Sequence, residues 1–396
     1  MVMRVGVIGY GNRIKNICNQ MAALNPDIHL LAIADPRHEA LAKQFADGAR
    51  SDVAFYPTAE AMLAVGALDG VLIGTRCHLH AEMALKVMAL NLPMFLEKPV
   101  AITWRELAQL KVAARRYTAP CVTSFPLRAH PIVQKAKQLI EHGEIGAVQQ
   151  IIAVNHVPYG RIYFREWYRN HAETGGMFLQ KATHDLDYLS FLAGARATRV
   201  AAMMSQGRVF GGAMPAGLHC QACAKQEQCP ESPWWDYYVK GGEQPPREAE
   251  DRLCCFSQEI GTPALGMNED FSSCLIEYAN GVQASYTQNL LVSDGAGVRG
   301  ATVIGYDGTV QFDWYRNELK LVKHHLKEEQ TIKFTAPSSP SSIHLANRVL
   351  AYEFIQVLRG GKTPICSLAD GIDSAALCLS CKESATTGQF VNVPQD

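Results

Sequence analysis

The chain has 396 residues, 48% of them hydrophobic, which is enough for packed cores and excludes wholesale disorder. Its 37 lysines and arginines against 38 acids leave a net charge of −1. A nucleic-acid partner is therefore not expected, because counterion-release binding needs a basic surface. No stretch reaches the ~20 apolar residues of a membrane helix, and the chain opens at once into the apolar run Val5–Ile8. A cytoplasmic protein with no membrane association is expected.

The first 123 residues alternate short apolar runs with helical patterns. Strands are predicted at Val5–Ile8, Leu30–Ala34, Gly70–Gly74, Met94–Leu96 and Cys121–Ser124. Helices are predicted at Ile14–Leu24, Arg37–Ala46, Ala59–Val65, His80–Ala89 and Trp104–Arg116. This order implies an α/β domain with a parallel sheet and helices on both faces. Residues 124–396 read differently. A helix at Ile132–His142 leads to a strand at Val148–Val157, and a helix covers Met177–Leu192. Strands that alternate polar and apolar residues follow at Ser272–Tyr278, Val282–Leu290, Ala301–Gly305, Gly308–Asp313 and Leu319–Lys323. Ala279-Asn280-Gly281 and Tyr306-Asp307-Gly308 read as hairpin turns with glycine at positive φ. A loop at Pro337–Ser342 and helices at Ile343–Leu358 and Leu368–Thr386 complete a second α/β domain with a mostly antiparallel sheet. Residues 205–268 lack periodicity, and a segment that long needs an internal staple or is mobile.

Gly9-Tyr10-Gly11-Asn12-Arg13-Ile14 follows the first strand and opens a helix. The two glycines suit a tight turn that lets a pyrophosphate approach the backbone at a helix N-terminus. The third glycine of that fingerprint is replaced by Ile14. Asp35 ends the second strand about twenty residues on, where a carboxylate holds the adenosine ribose. It favours NAD; Arg37, two residues later, would suit NADP.

Glu97-Lys98-Pro99 follows the Met94–Leu96 strand. His80-Ala81-Glu82 lies upstream, and Arg128, Gly143–Gly146, Gly175-Gly176, His184, Asp187 and Glu383-Ser384-Ala385 follow in order. Together with the dinucleotide motif, this set resembles the glucose–fructose oxidoreductase / inositol dehydrogenase (Gfo/Idh/MocA) family. The resemblance implies a Rossmann domain followed by an α/β domain whose open sheet builds a homodimer or homotetramer. It also implies hydride transfer between NAD(P) and a sugar, sugar acid or cyclitol. It places Thr75, His80, Glu97 and Lys98 at the cofactor and an unusual turn at Pro99. Lys98 is marked as catalytic, an ammonium that stabilises a developing alkoxide. His184 is marked as the proton acceptor. Asp187 at i+3 would orient that ring or touch substrate. The aspartate that many members carry four residues before the histidine is Gln180 here, so Lys181 becomes a candidate substrate ligand. In the stretch Tyr159–Tyr168, Tyr163 and Arg165 are candidates for a sugar face and its hydroxyls or carboxylate. Two other activities suit the same motifs: a redox-neutral NAD-dependent glycosidase or isomerase, and a non-catalytic NAD-binding sensor.

Five of the twelve cysteines fall between Cys220 and Cys255. Cys220, Cys223 and Cys229, with a later partner, suit a structural zinc site, or less well an iron–sulfur cluster; free thiols or disulfides are the plain alternative. The resemblance to an insertion-bearing subgroup selects Cys254 over Cys255 as the fourth ligand.

Overall fold

The computed structural model describes residues 2–46, 52–165, 167–212, 214–235, 252–257, 267–334, 343–361 and 363–395. The expected loop at Pro337–Ser342 and much of the 205–268 segment lie outside them.

The first sheet contains β1 (Met3–Ile8), β2 (Ile28–Ala34), β3 (Ala54–Tyr56), β4 (Gly70–Ile73), β5 (Met94–Leu96) and β6 (Cys121–Thr123). Their order is β3-β2-β1-β4-β5-β6 and every pairing is parallel. The helices between them are α1 (Asn12–Leu24), α2 (His38–Ala46), α3 (Ala59–Leu63), α4 (Cys77–Ala89) and α5 (Trp104–Ala114). The strand order reverses between β1 and β4, so the crevice at their carboxyl ends is the natural ligand site. β3 carries no sequence signal, being three half-buried residues long.

The second domain begins with α6 (Pro131–Glu141), where the His130 ring accepts from the Ile132 amide and Pro131 opens the first turn. β7 (Val148–His156), α7 (His171–Thr174) and a π-helical turn at Phe178–Ala182 follow, and the turn runs into α8 (Thr183–Ala193). The remaining strands are β8 (Ala197–Gln206), β9 (Glu269–Tyr278), β10 (Gln283–Asn289), β11 (Val298–Gly305), β12 (Gly308–Asp313), β13 (Glu318–Lys323), β14 (Glu328–Lys333) and β15 (Val391–Asn392). They form one sheet in the order β14-β13-β12-β11-β7-β10-β9-β8-β15. Only β7 and β10 pair in parallel, so the sheet is mostly antiparallel as expected.

Two helices close the chain, α9 (Ile343–Leu358) and α10 (Leu368–Thr387). α10 starts at a capping box of Ser367 and Asp370 and packs on β8. α9 does something the sequence did not suggest. Its Leu350, Phe354 and Ile355 share one core with Val5, Val7 and Ile14 of the first domain. The chain thus re-enters its N-terminal domain after building the second sheet. Residue 123 divides the two sheets, but it does not divide the two cores.

One of the two predicted turns differs from expectation. Gly281 has φ +86, as a hairpin turn requires, but Gly308 has no positive φ. Gly308 is instead the first residue of β12, where a Cβ would stand 2.7 Å from the Val322 carbonyl. No helix among the described residues is long and apolar enough to cross a membrane.

Candidate active site

The crevice is built first from the turn after β1. Gly9 has φ +81, and a Cβ there would meet the Thr75 amide nitrogen at 2.8 Å. Gly11 caps α1 without a side-chain hydrogen bond, so the first-turn amides and the exposed Asn12 face outward. This is the cradle a pyrophosphate needs. Ile14, the departure from the fingerprint, is fully buried. It fits because Gly74 lies opposite: a Cβ on Gly74 would fall 1.9 Å from Ile14 Cγ1. The close approach survives, with the missing side chain moved to the facing strand.

Asp35 is buried and accepts hydrogen bonds from the Tyr10 amide (2.9 Å) and from the Arg37 amide and guanidinium. Burial raises its pKa, but the bonds from Arg37 and Tyr10 outweigh burial and hold it below the usual carboxylate range. Arg37 itself is largely exposed. The Tyr10 ring is buried against Phe45. Arg13 reaches Glu97 (3.0 Å) and Ser124 (3.0 Å), and Ser124 also donates to Glu97. Arg13 and Glu97 therefore brace the turn that carries Lys98. His80 bridges the Pro99 carbonyl (2.7 Å) and the Thr75 carbonyl (3.1 Å), tying the turns after β5 and β4 together. The Lys98–Pro99 peptide bond is cis.

Lys98 stands just past the carboxyl end of β5. Its Nζ donates to both the backbone carbonyl and the side-chain Oε1 of Gln180, each at 2.7 Å. Gln180 thus holds the lysine in place. An ammonium has three N–H bonds, so one remains for a substrate oxygen. Burial, helped by Lys181 and Arg13, pulls the Lys98 pKa down to about 8 against Glu97 and Cys77. Lys181 is buried and donates to the Tyr159 hydroxyl at 2.8 Å. Gln180 and Lys181 are consecutive residues of the π-helical turn. Such turns recur at functional sites because the extra residue re-aims side chains.

His184 lies in the first turn of α8, and its Nδ1 is buried without a hydrogen-bond partner. Burial, then Lys98, Arg299 and Lys181, push its pKa well below the usual histidine value. The ring is neutral, a hydrogen-bond acceptor surrounded by cations.

Asp187 does not orient that ring. Its carboxylate is taken by Arg128, whose Nε donates at 3.1 Å and which also pairs with Asp370 (2.7 Å). Asp187 and Arg128 line a separate cavity of about 340 Å³ with Phe191 and Ser374, away from Lys98 and His184. Arg165 is likewise engaged elsewhere: it holds Glu231 of the insertion through the carboxylate (3.2 Å) and the backbone carbonyl. Tyr163 is buried between Tyr159 and Tyr168. The residue pair that sequence reasoning missed is Asp185 and Arg299. The Arg299 Nε and Nη2 each reach an Asp185 oxygen at 2.9 Å, and Asn155 (2.8 Å) and Tyr286 (3.0 Å) complete the buried network. A signal existed. Arg299 shares strand parity with the buried Ala301 and Val303, so the alternation of β11 points it inward.

In the insertion, His219 bridges Leu253, and Cys220, Cys223 and Cys254 are buried. Burial raises the Cys220 thiol, and Cys254, Cys229 and Cys223 lie near enough to raise it further. Still, no three metal-ligating side chains among the described residues are arranged to hold an ion. All twelve cysteines are free thiols.

Comparison with known proteins agrees with this geometry. Residues 3–125 match the profile "Oxidoreductase family, NAD-binding Rossmann fold", and residues 137–393 match "Oxidoreductase family, C-terminal alpha/beta domain". The rhizopine catabolism protein MocA of Rhizobium meliloti is 26% identical over 302 residues, covering 76% of this chain and 89% of that protein. Myo-inositol 2-dehydrogenase of Thermotoga maritima is 26% identical over 200 residues, covering 50% of this chain and 57% of that enzyme. Among solved structures, levoglucosan dehydrogenase in complex with NADH and levoglucosan superposes over the whole of both chains with a TM-score of 0.75 at 20% identity. With both domain profiles matched across most of its length, and with a dinucleotide cradle facing Lys98, the chain belongs to the Gfo/Idh/MocA family of NAD-binding oxidoreductases.

Proposed function

We propose that the protein is an NAD-dependent dehydrogenase that oxidises a CH–OH group of a sugar, sugar acid or cyclitol. The observation that carries this reading is Lys98, fixed at the carboxyl end of β5 by the two bonds it donates to Gln180, with one N–H to spare. Bound NAD would supply the hydride acceptor, held by Gly9, Gly11, the α1 amides and Asp35. The spare Lys98 N–H stabilises the oxygen of the reacting carbon as it gains alkoxide character. Neutral His184 borders the same hydroxyl group and helps to orient it. The names of the inositol and levoglucosan dehydrogenases among the similar proteins support this substrate class. NAD is favoured over NADP because the buried Asp35 carboxylate repels a 2′-phosphate and its neighbour Arg37 is already paired with it.

A panel of sugars, uronates and cyclitols, assayed with NAD and NADP by nicotinamide absorbance, tests the reading. At least one compound is expected to be oxidised, faster with NAD. Full rate in both Lys98→Ala and His184→Ala proteins would sink the assigned roles.

Two further parts belong to the same proposal. The protein is cytoplasmic, where its free thiols stay reduced. It assembles through the open face of the second sheet, on which Ile152, Met203 and Leu275 are exposed. A zinc staple at Cys220, Cys223, Cys229 and Cys254 would require these thiols to lose protons and draw together. Metal analysis of protein purified without chelator is expected to find about one zinc per chain, and its absence would discard the staple.

A further inference from the structure

The turn after β7 brings a tyrosine hydroxyl onto a buried ammonium. Lys181 Nζ donates to Tyr159 Oη at 2.8 Å. The same nitrogen lies 4.7 Å from the centre of the Tyr159 ring and 5.5 Å from that of Tyr163, so two aromatic faces wall it in. Tyr159 is 39% exposed, so it reaches solvent while its hydroxyl meets a lysine that is 4% exposed. The pair belongs to the Lys98 site through the π-helical turn: Gln180 binds Lys98, and the next residue, Lys181, binds Tyr159.

The charges around the pair favour a phenolate. Lys181 is the largest influence on Tyr159 and pulls its pKa below the usual tyrosine value; Arg299 acts in the same direction, while burial and Asp185 oppose it. Burial in turn lowers the Lys181 pKa. Tyr163 and Tyr315 are the other titratable groups facing the hydroxyl, and burial raises both. His184 stands in contrast. Buried, and with Lys98, Arg299 and Lys181 around it, its neutral ring is a poor resting place for a proton.

We propose that Tyr159, held against Lys181, is the catalytic acid–base residue of this site, with Lys181 as its positioning cation. This rests on the dehydrogenase reading above and names the destination of the proton. In the oxidising direction the substrate O–H bond breaks and its proton passes to the Tyr159 phenolate oxygen. The C–H bond breaks in the same step and the hydrogen leaves with two electrons, as hydride, for oxidised NAD. The carbon–oxygen bond becomes a carbonyl. Reduction runs the same transfers backwards, with the neutral phenol donating.

Two experiments on the full chain test the pair. The first needs neither substrate nor cofactor. Ultraviolet absorbance near the tyrosinate band is followed against pH for wild type, Tyr159→Phe and Lys181→Met, with circular dichroism confirming that each is folded. The difference between wild type and Tyr159→Phe is expected to show one tyrosine ionising well below the ordinary ~10. Lys181→Met is expected to move that ionisation upward. No such tyrosine, or one indifferent to Lys181, overturns the proposal. The second uses the best-oxidised compound of the substrate panel. Tyr159→Phe is expected to lower kcat at least about tenfold and to remove the acid limb of its pH profile. In Lys181→Met that limb shifts to higher pH. A Tyr159→Phe protein with unchanged kcat and profile overturns the pair, even while loss of activity in Lys98→Ala leaves the dehydrogenase reading intact.

Discussion

Ile14 and Gly74 act as a matched pair. The isoleucine fills the place where the dinucleotide fingerprint expects glycine, and the bare Cα of Gly74 makes room for it. Adding one methyl at Gly74 overpacks that contact. Gly74→Ala is expected to cost about 1–3 kcal/mol in denaturant unfolding and to weaken NAD binding. The double variant with Ile14→Ala should recover part of the loss; if it recovers none, the two side chains are not in conflict. A second consequence at this scale concerns protonation. In the proposed reaction Lys98 acts as an ammonium, and its pKa is pulled down to about 8. Raising the pH through that value removes the charge that stabilises the alkoxide, so kcat/KM for oxidation should fall on the alkaline side. Arginine keeps its charge there. In Lys98→Arg, whatever rate survives should therefore lack that limb, and an unchanged limb would assign it to another group. Lys98, His184 and Lys181 were legible in the sequence because ordered motifs carry them. The role of Gln180 was not, because a glutamine in place of an aspartate reads as a loss until its two bonds to Lys98 are seen.

Between elements, a buried polar tie fixes the site to the second sheet. Asp185 on α8 holds Arg299 on β11, Asn155 on β7 and Tyr286 on β10, so one carboxylate fixes the helix that carries His184 to three strands. Asp185→Asn leaves the Arg299 charge buried without its partner, a loss of about 3–5 kcal/mol. Thermal and denaturant melts would show it, and a change under about 1 kcal/mol would mean that water reaches the site. The helical periodicity of Met177–Leu192 was visible in the sequence, but its first turn is π-helical. Nothing in a hydrophobic pattern distinguishes the two, since the wider turn is stabilised by tertiary contacts. β8 was missed because alanine-rich segments have weak strand preference, and β14 because an exposed polar edge shows no alternation.

At the scale of the whole molecule, the two sheets were foreseen but the connectivity of their cores was not. α9 lies between the last long strands and α10, yet its Phe354 packs on Phe95 of β5, with ring centres 5.9 Å apart. Periodicity shows that a helix has an apolar face and says nothing of which sheet receives it. Phe354→Ala is expected to destabilise by about 3–5 kcal/mol, and cofactor affinity should fall with it because the damage lies in the first domain. Retained NAD affinity at reduced overall stability would show that α9 serves the second sheet instead. The insertion is tied to the crevice in another way, since Glu231 pairs with Arg161 (3.4 Å) and Arg165 on the segment that carries Tyr159.

The return of α9 also sets a timetable for synthesis. A protein emerging from the ribosome usually completes its N-terminal domain first. Here the first domain lacks part of its core until Leu358 has left the exit tunnel, after the whole second sheet except β15. Until then the apolar flank of α1 that α9 later covers stays open to solvent, and nascent chains arrested before residue 343 should be the ones that chaperones hold longest.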